Sequence, residues 1–166
     1  MNTPSPDYLA QLLAEEKALQ FAAFDNTTAF ALGQVALDLA ATAGLPVAIL
    51  IRRNGQRIFQ AALPGTGPDN DSWLDRKSRL VDRLGHSSYY LRNLAASKGT
   101  TVEEMYQVDP AQHAAHGGAF PITLAGTGVI GTIAASGLDQ RDDHYFAVDA
   151  VRHFLERSKQ SGEARP

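Results

Sequence analysis

The tetrapeptide Arg53-Asn54-Gly55-Gln56, set between the β-capable runs Val47–Arg52 and Arg57–Leu63, constrains this fold more than any other stretch. A type I′ turn needs positive φ at both central residues, which Asn and Gly accept, so Asn-Gly here predicts a tight hairpin. A second pair of β-capable runs lies within His113–Leu138, HAAHGGAFPITLAGTGVIGTIAASGL. Its Phe-Pro step enters one apolar segment, and the glycine-bearing turn Ala125–Gly128 leads into another, Val129–Ala135. That pattern also reads as a hairpin.

Helical periodicity fills the rest of the chain. Ser5 or Asp7 can cap a first helix through Leu9, Leu12, Leu13, Glu16 and Leu19, and Phe21–Phe24 is expected as an edge strand. Asp25-Asn26-Thr27 opens a second helix, with Phe30, Gln34, Leu37 and Ala41 expected on one side, alanines and Gly33 that let a neighbour approach closely, and a stop at Gly44 before Pro46. The loop Leu63–Asp71 precedes a third helix that Gly85 interrupts, and a fourth follows over Ser87–Lys98. Thr100 with Glu103, or Thr101 with Glu104, makes a capping box for a short fifth helix. Asp139 caps the last, whose apolar stripe is Ala147, Val148, Val151, Phe154 and Leu155. Hairpins separated by helices indicate an α+β class: a mainly antiparallel sheet flanked by helices, in a single domain over residues 7–158. Residues 1–6 are expected as a flexible polar tail and residues 159–166 as a frayed one.

Composition removes several functions. A net charge of −3 with interleaved acids and bases gives no footprint for nucleic acid. The absence of cysteine excludes disulfides, thiolate metal sites and thiol catalysis. MNTPSPDYL lacks a basic region followed by an apolar run, and the longest apolar run, Leu45–Ile51, is far too short to span a membrane. The expectation is a cytoplasmic protein with no nucleic-acid or membrane partner.

Lys77 falls inside the third helix's apolar stripe of Trp73, Leu74, Leu80, Val81 and Leu84, with Arg76 beside it. Either its stem snorkels so that the ammonium reaches water, or its cation points into a cleft or subunit contact for an anionic ligand. Asp69-Asn70-Asp71 suits helix capping. His113 and His116, three apart, could share one face of a helical turn and chelate zinc or iron, but the alanines between them leave no general base. His86 lies in the capping neighbourhood of Ser87-Ser88. His144, at the inner edge of the last stripe, is expected to be partly buried and hydrogen-bonded. Ser136, His144 and Asp143 could form a hydrolase triad only without a nucleophile elbow. Gly117-Gly118 supply a turn before the strand or an anion-binding nest, and Phe120 and Ile122 share a strand face.

Several segments resemble the haem-degrading-domain family of HbpS-like and GlcG-like proteins, in particular its small cytoplasmic branch. They are PDNDSWLDRK (Pro68–Lys77), GHSSYYL (Gly85–Leu91), HGGAFPI (His116–Ile122), GVIGTIAASGL (Gly128–Leu138) and DDHYFAVDA (Asp142–Ala150). Two signatures depart slightly: Ala135 stands where valine is usual, and two residues separate Gly118 from Pro121. The resemblance implies a profilin-like fold, ring-like homo-oligomers and, for some members, a haem role.

Two functions follow as expectations. One is an oligomeric module, larger than a dimer, holding an unidentified small ligand between the HGGAFPI turn and the Trp73–Lys77 helix. The alternative is a haem- or iron-binding protein with weak haem-degrading activity. The candidate ligand set is Asn70, Trp73, Arg76, Lys77, His86, His116, Gly117, Gly118 and Phe120. The candidate metal set is His113 and His116, haem is the possible cofactor, and no catalytic set emerges.

Overall fold

In a computed structural model, which describes residues 3–163, both hairpins form and share one sheet. The first joins β2 (Ala48–Arg53) to β3 (Gln56–Ala62) through Asn54 and Gly55, at φ 48° and 80° as a type I′ turn requires. The second joins β4 (Ala119–Leu124) to β5 (Gly128–Ser136). Strand β5 then pairs antiparallel with β2, Ala135 opposite Ile49 and Ile133 opposite Ile51. The expected edge strand at Phe21–Phe24 is shorter: β1 is only Gln20–Phe21, parallel to β4. The sheet order is β1-β4-β5-β2-β3.

Among the described residues six helices flank it: α1 (Pro6–Ala18), α2 (Asn26–Ala43), α3 (Pro68–Leu84), α4 (Ser88–Ser97), α5 (Val102–Tyr106) and α6 (Gln140–Glu163). Strand alternation splits the apolar side chains between two faces. Ile49, Ile51, Phe120, Ile122, Ile133 and Ala135 join residues of α2 and α6 in one core, while Ala48, Leu50, Ala119 and Ala134 meet Leu74 and Val81 of α3. A further cluster packs Leu12 of α1 with Leu80, Tyr89 and Leu91. Full burial of each large aliphatic or aromatic side chain contributes about 1.5–3 kcal/mol, so α3 is fixed from two directions.

On α2 the inward face is Ala29, Leu32, Gly33, Ala36 and Ala40, because the Phe59 ring of β3 lies directly against Gly33. Phe30 is left 57% exposed, and Gln34 points outward to Asp38. At the C-terminus α6 runs through residue 159 to Glu163, where a frayed tail is expected; Met1, Asn2 and residues 164–166 lie outside the described residues. No helix among the described residues is long and apolar enough to cross a membrane.

Candidate functional site

The first turns of α3, the end of β5 with its loop to α6, and His116 line a cavity of about 290 Å³. Pro68 at the first helical position sets the entry of α3. Asn70 Oδ1 accepts the Gly67 backbone N–H at 2.9 Å, while Asn70 Nδ2 donates to Ser136 Oγ at 3.1 Å. One side chain thus caps the helix and ties it to β5. Trp73 is held by its indole N–H, which donates to Asp69 Oδ2 at 3.0 Å. The Arg76 guanidinium lies 4.2 Å from the Trp73 ring centroid, and the His116 ring stands edge-on at 4.8 Å.

Lys77 does not snorkel. Its side chain is 4% exposed, and Nζ donates to the Ala135 carbonyl at 2.9 Å and to Asp143 Oδ2 at 3.0 Å. Asp143, equally buried, accepts the Leu138 backbone N–H on Oδ1 at 3.0 Å. Burial pushes the Lys77 ammonium below its usual range and the Asp143 carboxyl above its own, and the mutual attraction of the charges opposes both shifts.

Gly118 makes room for that amine: at φ 130°, a Cβ there would meet the Ala135 carbonyl oxygen and come within 2.7 Å of Lys77 Nζ. The Gly117-Gly118 pair is therefore a close-approach point, with Gly117 against the Gln140 carbonyl. Gln140 adds an unusual wall group, since its Oε1 is buried without a hydrogen-bond partner. His116 sits at the exposed rim, its imidazole pushed toward the neutral form by burial first and then by Arg92, Lys77 and Arg76.

The structure brings Asn70, Trp73, Lys77 and His116 to this cavity, with Arg76 against Trp73 and the glycines behind. Three candidates lie elsewhere. Phe120 is fully buried in the main core, since its strand face is the one that α2 and α6 cover. His86 donates its Nδ1–H to the Oε2 of buried Glu16 at 2.7 Å and lines a separate cavity with Leu13 and Lys17. His113 is not in a helical turn with His116; the chain there is irregular, and its Nδ1 lies 3.2 Å from the Asp109 carbonyl. Among the described residues no group of three or more His, Asp or Glu side chains could hold a metal ion.

His144 also departs from expectation. It is 1% exposed, neither ring nitrogen has a hydrogen bond, and the ring stacks on Tyr89 at 4.8 Å. With Ser136 tied to Asn70 and Asp143 to Lys77, no hydrolase triad forms. Sequence reasoning missed Gln140 and the pairing role of Asp143. The signal for Asp143 was present: it lies four residues before Ala147, so an acid occupies the apolar stripe of α6 as a lysine does that of α3.

A family model described as "Haem degrading protein HbpS-like" matches residues 24–152. A UPF0303 protein of Streptomyces avermitilis is 48% identical over 152 residues, covering 92% of this chain and 93% of that protein. The crystal structure of Ybr137w protein superposes with a TM-score of 0.82 at 34% identity, over 90% of this chain and 88% of the other. The crystal structure of a PduOC:heme complex shares the fold, with a TM-score of 0.65 at 18% identity over 78% of this chain and 94% of that one.

Proposed function

This chain belongs to the HbpS-like family of haem-degrading proteins, and from that premise we propose that it is an oligomeric small-ligand-binding module. Its pocket is the cavity between the HGGAFPI turn and the Trp73–Lys77 helix. One observation carries this reading: the cavity is lined by the buried Lys77–Asp143 pair and by Gln140, whose Oε1 is buried without a hydrogen-bond partner. A buried polar atom without a partner costs stability, and a ligand donor at Gln140 would remove that cost. A volume of about 290 Å³ suits a small polar molecule and lies at the lower end of the range for ligand pockets. Native mass spectrometry of the purified protein tests this: a small molecule held by the wild type and lost from Trp73→Ala supports it, and a pocket that retains and accepts nothing overturns it.

One observation favours haem as a second reading. His116 is the imidazole on this cavity and is held toward the neutral form that coordinates iron. The donor fits an axial role, and haem would supply redox chemistry at its iron. The enclosure does not fit: a cavity of this volume covers only an edge of a porphyrin, so one protomer leaves most of the ring uncovered. Optical titration with hemin decides between them. A saturable Soret shift that depends on His116 supports haem, and unsaturable colour leaves the small-ligand reading.

A further inference from the structure

We propose that Lys77 is a carbonyl-capturing amine and that the cavity binds a small hydroxylated aldehyde or ketone as a covalent imine on Nζ. This deepens the small-ligand reading of the same cavity and rests on it. Hydrogen-bond arithmetic motivates it. Nζ has two protein acceptors, the Ala135 carbonyl at 2.9 Å and Asp143 Oδ2 at 3.0 Å. An ammonium carries three N–H bonds, whereas a neutral amine has two and a lone pair. With both acceptors satisfied, the remaining position belongs to the cavity that Lys77 lines. Transfer of the ammonium's third proton would leave a lone pair at the cavity, where a carbonyl carbon can approach.

The surroundings supply the rest of the chemistry. Lysine serves as a nucleophile when desolvated or set beside another cation; Lys77 is both, buried and next in sequence to Arg76. The cavity-facing N–H loses its proton to solvent water, and Asp143 Oδ2, which already accepts a second N–H, is placed to take a proton from the nitrogen after addition. The lone pair attacks the carbonyl carbon, forming the C–N bond as the C=O π bond breaks; the oxygen takes up the proton released to water, and the nitrogen gives one to Asp143. The carbinolamine loses that oxygen as water, protonated from the Asp143 carboxyl, and the protonated imine keeps one N–H facing the Asp143 carboxylate. Atoms and electrons balance without a redox partner. Gln140 lines the cavity and its Oε1 has no hydrogen-bond partner, an acceptor that a ligand hydroxyl would satisfy. Trp73 lines the same cavity.

The test uses the wild-type protein with glyceraldehyde as probe and cyanoborohydride to reduce any imine, followed by peptide mapping. Lys17 and Lys98 are exposed and serve as internal references. A merely surface-reactive protein labels them first, because Lys77 is 4% exposed. Faster labelling at Lys77 than at both references, with loss of that adduct in Lys77→Arg, is the expected result. Trp73, the chain's one tryptophan, gives a parallel binding readout. A saturable change in its emission with adducts confined to the exposed lysines Lys17, Lys98 and Lys159 overturns imine capture and leaves the pocket standing. No emission change and no Lys77 adduct overturns both. Since the mapping is done on wild type, the result does not depend on the variant folding.

Discussion

Lys77 Nζ and Asp143 Oδ2 meet 3.0 Å apart, joining α3 to α6 across the end of β5, with each side chain only 4% exposed. Removing one partner strands the other in a low-dielectric site. Lys77→Met should therefore lower stability by about 3–5 kcal/mol, whereas Lys77→Met combined with Asp143→Leu should recover most of the loss. Urea unfolding of the three proteins measures both. A single variant of unchanged stability would falsify the buried-pair description.

Gly118→Ala should cost about 1–3 kcal/mol from backbone strain alone, with a further loss from contact with the Ala135 carbonyl and Lys77. Gly126→Ala is the control: φ is 74° there, but nothing lies within 4 Å of the added methyl. Thermal unfolding should rank Gly118→Ala well below Gly126→Ala. Equal losses would mean that close approach to the amine contributes nothing.

The His86 imidazole is pushed above its ordinary value, first by its hydrogen bond to Glu16 and also by the charge of that carboxylate, against partial burial. A raised folded value means that the stabilisation is complete below the unfolded imidazole value of about 6.5. It is lost as pH rises through the higher folded value. Stability of the wild type should thus fall across that neutral-to-alkaline window relative to His86→Gln. Parallel urea midpoints across the window in both proteins would rule the linkage out.

Hemin, if bound, should respond differently to the two neighbouring histidines. His116→Ala should abolish a saturable Soret shift, and His113→Ala should leave it, because His113 is turned toward the Asp109 carbonyl. The depressed His116 value also predicts that the shift persists as pH falls below about 6.5, since protons compete with iron only below the folded value. A spectrum indifferent to both substitutions would remove histidine ligation.

Self-association should exceed a dimer. Phe30 is 57% exposed, the one large apolar side chain so exposed among the described residues, and β3 leaves a free sheet edge beside its helix. Multi-angle light scattering at micromolar concentration should give a mass of more than two chains. A monomer or dimer would end this reading.

Local rules made most elements legible. Asn54-Gly55 located a hairpin, and Ser5, Asp25, Ser87 and Thr101 cap helices as their side chains allow. The inward face of α2 was legible only in part, through the alanines and Gly33 that admit a close neighbour. Phe30 is more hydrophobic than Ala29, but Gly33 decides the rotation because the Phe59 ring needs the space above it, and Phe59 is distant in sequence. The cavity was half legible for the same reason. Trp73, Lys77 and His116 stand out one at a time, whereas Gln140 and Asp143 acquire meaning only when α6 comes to rest beside α3. Phe120 misled because its motif neighbours line the cavity while strand alternation turns its ring the other way.

The strand order has a consequence for how the chain is made. β5, the central strand, is the last of the five to leave the ribosome, and it alone bridges the β2–β3 hairpin to β4. Until residue 136 has emerged, the nascent chain holds two sheet fragments with nothing between them, and their apolar faces remain uncovered. The N-terminal β1, translated first, must wait for β4 before its partners Thr123 and Leu124 exist. At about 5–20 residues per second this leaves seconds of exposure, an interval in which holdase chaperones have their strongest claim on the polypeptide.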